Sequence, residues 1–96
     1  MNQLVLSARI SEANGLRYTP AGLPALDFRL EHESELMEAD QQRQVKVAIK
    51  AVAFGTLAET LARQAIGSNW IFTGFLATPR DGKHPVLHIQ SFEQVS

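Results

Sequence analysis

Hydrophobic and polar residues alternate along much of this chain, which is the pattern of β-strands that have one buried face. The alternation is clearest from Leu26 to Glu33, where every second residue is predicted to face a core. The same pattern predicts a first strand from Leu4 to Ile10 and a last strand from Val86 to Val95. The chain is therefore predicted to be built mainly of strands.

The stretch from Gln44 to Gly55 is predicted to be a third strand, and it is the one around which the chain is organised. Apolar residues alternate with two lysines and an alanine as far as Ala51, and the apolar positions then change phase, to Val52 and Phe54. We interpret this change as a β-bulge, which bends a strand and increases its twist. Long bent strands are what a small barrel needs in order to close.

One short helix is predicted after the third strand. Thr56 and Glu59 have the spacing of a capping box, an apolar stripe at helical spacing follows, and Gly67 supplies a C-terminal stop, so we expect about ten helical residues. Residues Asn69 to Ala77 are apolar on both faces, which predicts a fourth strand that is covered on both sides.

The segments between these elements read as turns and loops. Asn14-Gly15 is a turn dipeptide, and residues 16–18 are expected to return briefly to extended structure before a proline-containing loop at residues 19–24. Residues 34–44 are polar and acidic without periodicity, so they are predicted to be a mobile loop. Residues 78–85 are predicted to be the last loop.

This order, three strands, a short helix and two further strands, predicts an all-β fold. A five-stranded Greek-key barrel with one short helix between strands 3 and 4 is the OB-fold. The 96 residues make one domain, 1–96, because a chain of this length forms one modest core. Nothing in it repeats or reads as a linker.

The composition of the chain limits the classes of protein to which it can belong. The chain is 45% hydrophobic and 20% charged and has no cysteine, which is typical of a globular protein without disulfides. Its N-terminus lacks the pattern of a signal peptide and no apolar segment could span a bilayer, so a cytoplasmic location is expected. The net charge of −1 hides an uneven distribution, because six acids lie between residues 27 and 40 and cations follow. A local basic patch is therefore compatible with overall neutrality.

Catalytic and metal chemistry find little support. There is no nucleophile elbow and no glycine-rich phosphate loop, so we expect neither an enzyme nor a cofactor. His84 and His88, if both extended, would lie about 13 Å apart, too far to share one ion, so no metal site is expected.

A binding surface is better supported. OB-folds bind oligonucleotides on the face of strands 2 and 3 and through the loops that border this face. In this chain those elements carry cations that can follow phosphates and one aromatic residue that can stack on a base: Arg17, Tyr18, Arg29, Arg43, Lys46, Lys50, Arg80 and Lys83. The remaining aromatic residues are expected to belong to the core. A solvated face that binds nothing is the alternative reading of the same cations.

The residues Thr19 to Pro24, followed by Phe28-Arg29-Leu30-Glu31-His32, resemble the family of primosomal replication protein N (PriB), bacterial OB-fold relatives of single-stranded DNA-binding proteins. The likeness covers essentially the whole chain. It implies a homodimer that binds single-stranded DNA and helps to reload the replication machinery together with the PriA helicase and DnaT. The resemblance places DNA-contacting positions at Arg17, Arg43, Lys46, Arg80 and Lys83.

Two functions of different classes therefore remain open. The first is a single-stranded DNA-binding accessory protein of the replication-restart primosome. The second is a protein-interaction adaptor of the same fold, which bridges a helicase and loader factors and has little DNA affinity of its own.

Overall fold

A computed structural model describes residues 1–95, which form six strands and one helix. The elements in chain order are β1 (Leu4–Ala13), β2 (Arg17–Tyr18), β3 (Pro24–Glu38), β4 (Gln41–Phe54), α1 (Thr56–Ala62), β5 (Asn69–Ala77) and β6 (Val86–Gln94). No helix among these residues is long and apolar enough to cross a membrane.

Five of the strands close into a barrel. The sheet runs β1-β5-β6-β4-β3, and a further pairing between β1 and β3 closes the ring, while the two-residue β2 adds to the outside of β3. All pairs are antiparallel except β4 with β6. The predicted five-stranded OB-fold barrel with one helix after its third long strand is confirmed.

The core consists of the inward-facing residues of these strands together with the buried side of α1. Phe72 lies at its centre, with its ring 6.2 Å from that of Phe28 and 6.3 Å from that of Phe92. Leu26, Leu30 and Phe28 are all buried, as the alternation predicted. Leu61 and Ala58 close one end of the barrel from α1.

The prediction of a loop at residues 34–44 is wrong. β3 and β4 form one long hairpin whose register is unbroken from Ala25↔Phe54 to Glu38↔Gln41. Its two-residue turn, Ala39-Asp40, has positive φ at both positions, 50° and 64°. A turn of this kind normally contains Asn-Gly or Asp-Gly. Ala39-Asp40 does not match that pattern, so the hairpin could not be predicted from the sequence. The end of this hairpin projects from the barrel as a two-stranded ribbon, residues 32–47.

The predicted bulge after Ala51 is also absent from the pairing of β3 with β4. The register passes through Ala51 without a shift, so Ala51 and Ala53 continue the inward face and both are buried. Val52 and Phe54 therefore lie on the outer face. The apparent change of phase arose because two small inward alanines alternate with larger outward apolar residues.

The helix differs from its prediction at both ends. Gly55, with φ of 73°, is the N-cap residue, and no side chain caps the helix, so Thr56 and Glu59 do not form the expected capping box. The helix ends at Ala62 after seven residues. Gly67 lies in the following turn with φ of 91°, and its N–H donates to the carbonyl of Ile10 at 2.7 Å. This hydrogen bond links the connection between α1 and β5 to β1, so Gly67 does not end the helix.

The remaining elements agree with the sequence reading. β5 has the predicted bounds, β6 begins at Val86 and the brief extended segment before the proline loop is β2. β1 continues three residues beyond the predicted end, and its pairing with β3 shifts register between Ile10 and Glu12.

Candidate nucleic-acid interface

The outward side chains of β4 define the lysine face, which consists of Lys46, Ala48, Lys50, Val52 and Phe54. Because the register with β3 is unbroken, these alternate residues all project to the same side of the sheet. Lys50 lies opposite Arg29 of β3. Two cations therefore sit side by side where the hairpin joins the barrel.

A groove of about 530 Å³, the cationic groove, lies between residues 47–50 of β4 and the loop that joins β5 to β6. Its charged or titratable lining residues are Arg29, Lys50, Lys83 and His84, and its apolar part consists of Val47, Ile49, Pro79, Pro85 and Val86. No carboxylate lies among the lining residues in the described part of the chain. Arg80, exposed in the same loop, lies beside Pro79. Lys50 of the predicted third strand and Lys83 of the predicted last loop thus meet at one site.

The groove forms here because β4 and β6 pair only briefly. Their parallel ladder is limited to Ala51↔Leu87 and Val52↔His88, and the chain before Val86 diverges from β4. The prolines on either side of this loop have no N–H to donate to a ladder, so they do not extend the pairing. The divergence opens the space that the cationic groove occupies.

Lys46 lies outside the groove, on the projecting ribbon, and has acidic neighbours. Its partner across the strands is Glu33, and Glu31 and Glu35 project from the same face of β3. Arg9 already pairs with Glu31 at 2.8 Å and with Glu33 at 3.8 Å. The field of these carboxylates offsets part of the charge of Lys46.

Arg17 and Tyr18 lie at the far end of the hairpin from its turn. Arg17 Nε donates to Asp27 Oδ2 at 2.5 Å, and Arg17 Nη2 donates to Asp27 Oδ1 at 3.3 Å. This hydrogen-bonded pairing raises the pKa of the Arg17 guanidinium above its usual value and holds the side chain in place. Tyr18 is 65% exposed, so its ring is free to stack.

Arg43 is separated from the other predicted residues by the pleat of the strand. It pairs with Leu36 in register and therefore projects from the opposite face to Lys46 and Lys50. Its Nε is 2.8 Å from Glu38 Oε1. The structure thus brings Arg29, Lys50 and Lys83 together. Arg80 belongs to the same loop as Lys83, and Lys46, Arg43 and the Arg17–Tyr18 pair lie at three other positions.

Two phenylalanines that were predicted to belong to the core, Phe54 and Phe75, lie instead on the outer surface beside His88. Phe54 is 39% exposed, and Phe75 and His88 are partly exposed beside it. The signal was present in the change of phase after Ala51, which put Phe54 on the same face as the lysines. Trp70, Phe72 and Phe92 do pack with one another on the core side, as expected.

The three histidines have separate surroundings. His32 Nδ1 lies 2.5 Å from the carbonyl oxygen of Ser7, and its Nε2 lies 2.8 Å from Ser34 Oγ. His84 lines the cationic groove, and His88 stacks on Phe75. No three His, Asp or Glu side chains among residues 1–95 form a group that could hold a metal ion.

A closed five-stranded barrel with one short helix after its third long strand defines an OB-fold protein. In agreement, the family described as "Another single-strand binding protein family" matches residues 2–91. Replication restart protein PriB of Bordetella pertussis is 46% identical over 97 residues, which cover 100% of this chain and 91% of the relative. The PriB of Nitrosomonas europaea is 39% identical over 90 residues, covering 93% of this chain and 83% of the relative. The chain belongs to the replication restart protein PriB family.

Solved structures agree with this assignment. The PriB structure from Ralstonia solanacearum superposes with a TM-score of 0.87 and 40% identity, covering 97% of this chain and 96% of that one. A single-stranded DNA binding protein from Thermus aquaticus gives a TM-score of 0.79 at 21% identity, covering 100% of this chain and 51% of that one, which supports the fold alone.

Proposed function

We propose that this protein binds single-stranded DNA during replication restart and that the cationic groove is the centre of its binding site. The observation that carries the proposal is the meeting of Lys50, Arg29 and Lys83 in a groove without carboxylates, on the face that OB-folds use for oligonucleotides. Membership of the PriB family supports the same function. The proposal needs no catalytic step.

The groove would act mainly by neutralising phosphates. Arg29 and Lys50 lie on adjacent strands, and Lys83 lies across the groove in the loop, so a DNA strand passing between them would meet cations on both sides. Each phosphate that a cation neutralises releases a bound counterion, which makes the affinity dependent on salt. Lys46 would extend the DNA-binding surface along the ribbon. Arg17 and Tyr18 would contact only a longer DNA strand. Arg43 faces away, so we expect the least from it.

The test is a titration of fluorescently labelled oligo-dT at several salt concentrations, with a duplex of equal length as the control. If four cations engage phosphates, log K should fall with log salt at a slope of roughly −3, since each contact contributes about −0.7. Binding to the single strand should exceed binding to the duplex. Equal affinity for both, or no binding at low salt, would contradict the proposal.

We further propose that the protein acts as a homodimer. Residues 4–8 of β1 pair with β5 on one side, while the pairing of β1 with β3 begins only at Arg9, so the second edge of residues 4–8 has no ladder partner among residues 1–95. Val5 is largely exposed there. An unpaired edge favours pairing with another chain. Sedimentation at tens of micromolar should give a dimer, and a species of 10.6 kDa alone would exclude it.

A second candidate, the adaptor, is supported by the acidic side of the ribbon. Glu31, Glu33 and Glu35 form a row on one face of β3, and such a row repels phosphates while attracting a basic protein surface. We propose that restart partners, the PriA helicase and DnaT, are the proteins to test. If a helicase binds the protein equally well with and without oligo-dT, and oligo-dT itself binds only weakly, the adaptor function is favoured.

A further inference from the structure

Three aromatic rings form a row across the outer surface of the barrel, the ring row: Phe54 of β4, His88 of β6 and Phe75 of β5. The His88 and Phe75 rings are nearly parallel, with centroids 4.9 Å apart and an interplanar angle of 15°. The Phe54 and His88 rings are 6.1 Å apart at 32°. The His88 and Phe75 rings are therefore stacked and the Phe54 ring is tilted against His88. Phe54, at one end of the row, has the most exposed surface.

The ring row is the direct neighbour of the cationic groove. Val86 lines the groove, and His88 is the next residue of β6 on the same face, about 7 Å further along the strand. On β4, Lys50 and Phe54 share the lysine face and are four residues apart, about 13 Å. A strand of DNA that leaves Lys50 toward the C-terminal end of β4 would therefore reach the ring row next.

We propose that the ring row is a base-stacking platform which extends the single-strand site from the cationic groove across β6 to β5. The proposal rests on the proposed function, because it takes the groove as the place where phosphates are held. Phe54 supplies the ring face on which a base stacks. His88 and Phe75 support the Phe54 ring in its position.

The chemistry of the surface favours a nucleobase over a second copy of this chain. Aromatic rings next to cations match the two features of a single strand, since every base has a π-face and every linkage a charge. A fully buried aromatic side chain covers about 150–250 Å², so three partly exposed rings offer on the order of 200 Å². A stable protein interface needs about 800 Å² from each partner. The ring row by itself is too small to form one.

Neither the helix nor the core covers the ring row. The helix packs against β3 and β4 at the end of the barrel, and the core lies behind the opposite face of the same strands. Val52, between the lysines and Phe54, is buried by its neighbours, while Phe54 remains 39% exposed. Phe54 therefore has space for a ring to stack against it.

The experiment compares two probes on the full-length protein: oligo-dT, and a chain of abasic deoxyribose phosphates of the same length. Both carry the same charge, but only oligo-dT can stack. The variants are Phe54→Leu and Phe75→Leu, which keep apolar bulk and remove a ring. Ile66→Ala, an exposed apolar residue outside both surfaces, is the control.

Wild type should bind oligo-dT more tightly than the abasic chain. Phe54→Leu should lose at least about five-fold in affinity for oligo-dT, the lower end of the contribution of one aromatic–base stack. Its affinity for the abasic chain and its salt slope should stay at the wild-type values, which also shows that the variant is folded. Phe75→Leu should lose less, and Ile66→Ala should lose nothing.

The outcomes separate the inference from the function on which it rests. If wild type binds neither probe, the proposed function fails. If wild type binds both but Phe54→Leu keeps its full affinity for oligo-dT, or loses affinity for both probes equally, the ring row is not a stacking platform. A Phe54→Leu protein that sediments as a smaller species than wild type would show that the row contacts a second copy, and this would also overturn the inference.

Discussion

Gly74 is the position where a single methyl group should do the most damage to the barrel. It lies in β5 where the pairing with β6 shifts register, between Thr73 and Gly74. A Cβ at this position would be 1.9 Å from the carbonyl oxygen of His88 and 2.9 Å from its carbonyl carbon. Cβ atoms essentially never approach other heavy atoms within 3.0 Å, so the backbone of β6 would have to withdraw by about 1.1 Å.

The cost of Gly74→Ala follows from that movement. Overpacking of a tight site costs about 1–3 kcal/mol, and each ladder hydrogen bond that the withdrawal weakens is worth a further 0.5–1.5 kcal/mol, approximately. We expect a loss of about 3 kcal/mol in the free energy of unfolding. For a domain of this size, the melting temperature should fall by at least 10 °C, approximately.

Urea and thermal unfolding followed by circular dichroism would measure this loss. Gly15→Ala is the matched control, because a Cβ at Gly15 meets nothing within 4 Å and the residue does not have positive φ. That variant should be as stable as wild type or more stable by up to about 1 kcal/mol. If Gly74→Ala unfolds within about 0.5 kcal/mol of wild type, β6 is more compliant than interiors of native density allow, and the reasoning is refuted.

Three further experiments test other parts of the structure. Ala39→Asn with Asp40→Gly supplies the residues that a turn with two positive φ values favours, so the free energy of unfolding measured in urea should rise by about 1 kcal/mol; a decrease would contradict the turn geometry. Phe72→Ala should cost about 3–5 kcal/mol, because it empties the centre of the core, and a well-folded variant at 37 °C with unchanged near-ultraviolet dichroism would argue against that placement. Lys46→Glu should weaken oligo-dT binding less than Lys50→Glu does, because Lys46 already faces Glu33; the reverse order would show that the ribbon, rather than the groove, dominates.

The barrel could be predicted from the sequence because the alternation of apolar and polar residues shows which face of each strand is buried. In β3, Leu26, Phe28 and Leu30 alternate with charged residues, and only one register buries all three. β5 was correctly bounded because it is apolar on both faces and ends at turn residues. Such patterns reflect burial, which is the strongest constraint on a small fold.

The errors arose at residues whose local sequence does not favour the conformation that they adopt in the folded protein. Ala39 adopts positive φ, although glycine or asparagine is the usual residue at such a position. The sequence therefore did not indicate a tight turn, and the hairpin was predicted to be a loop. Ala51 and Ala53 are inward residues too small to be recognised as such, so Phe54 was taken for the inside of a bent strand. Arg43 and Lys46 looked like members of one cationic cluster, yet three residues of separation on a strand put them on opposite faces. The sequence predicted which types of residue form the site. Which of these residues lie together is determined by the pleat of β4 and by the position of the β5–β6 loop.

The most direct test of the central claim, that the cationic groove binds single-stranded DNA, is the salt dependence of oligo-dT binding in two double variants of equal charge. Lys50→Gln with Lys83→Gln removes two groove cations, whereas Arg43→Gln with Arg63→Gln removes one cation from the opposite face of the ribbon and one from the end of α1. The groove variant should reduce the slope of log K against log salt by about 1.4 and weaken binding at every salt concentration, since each lost phosphate contact removes about 0.7. The control variant should keep the wild-type slope. Equal losses in both variants would mean that only net charge matters, and that result would contradict a binding site in the groove.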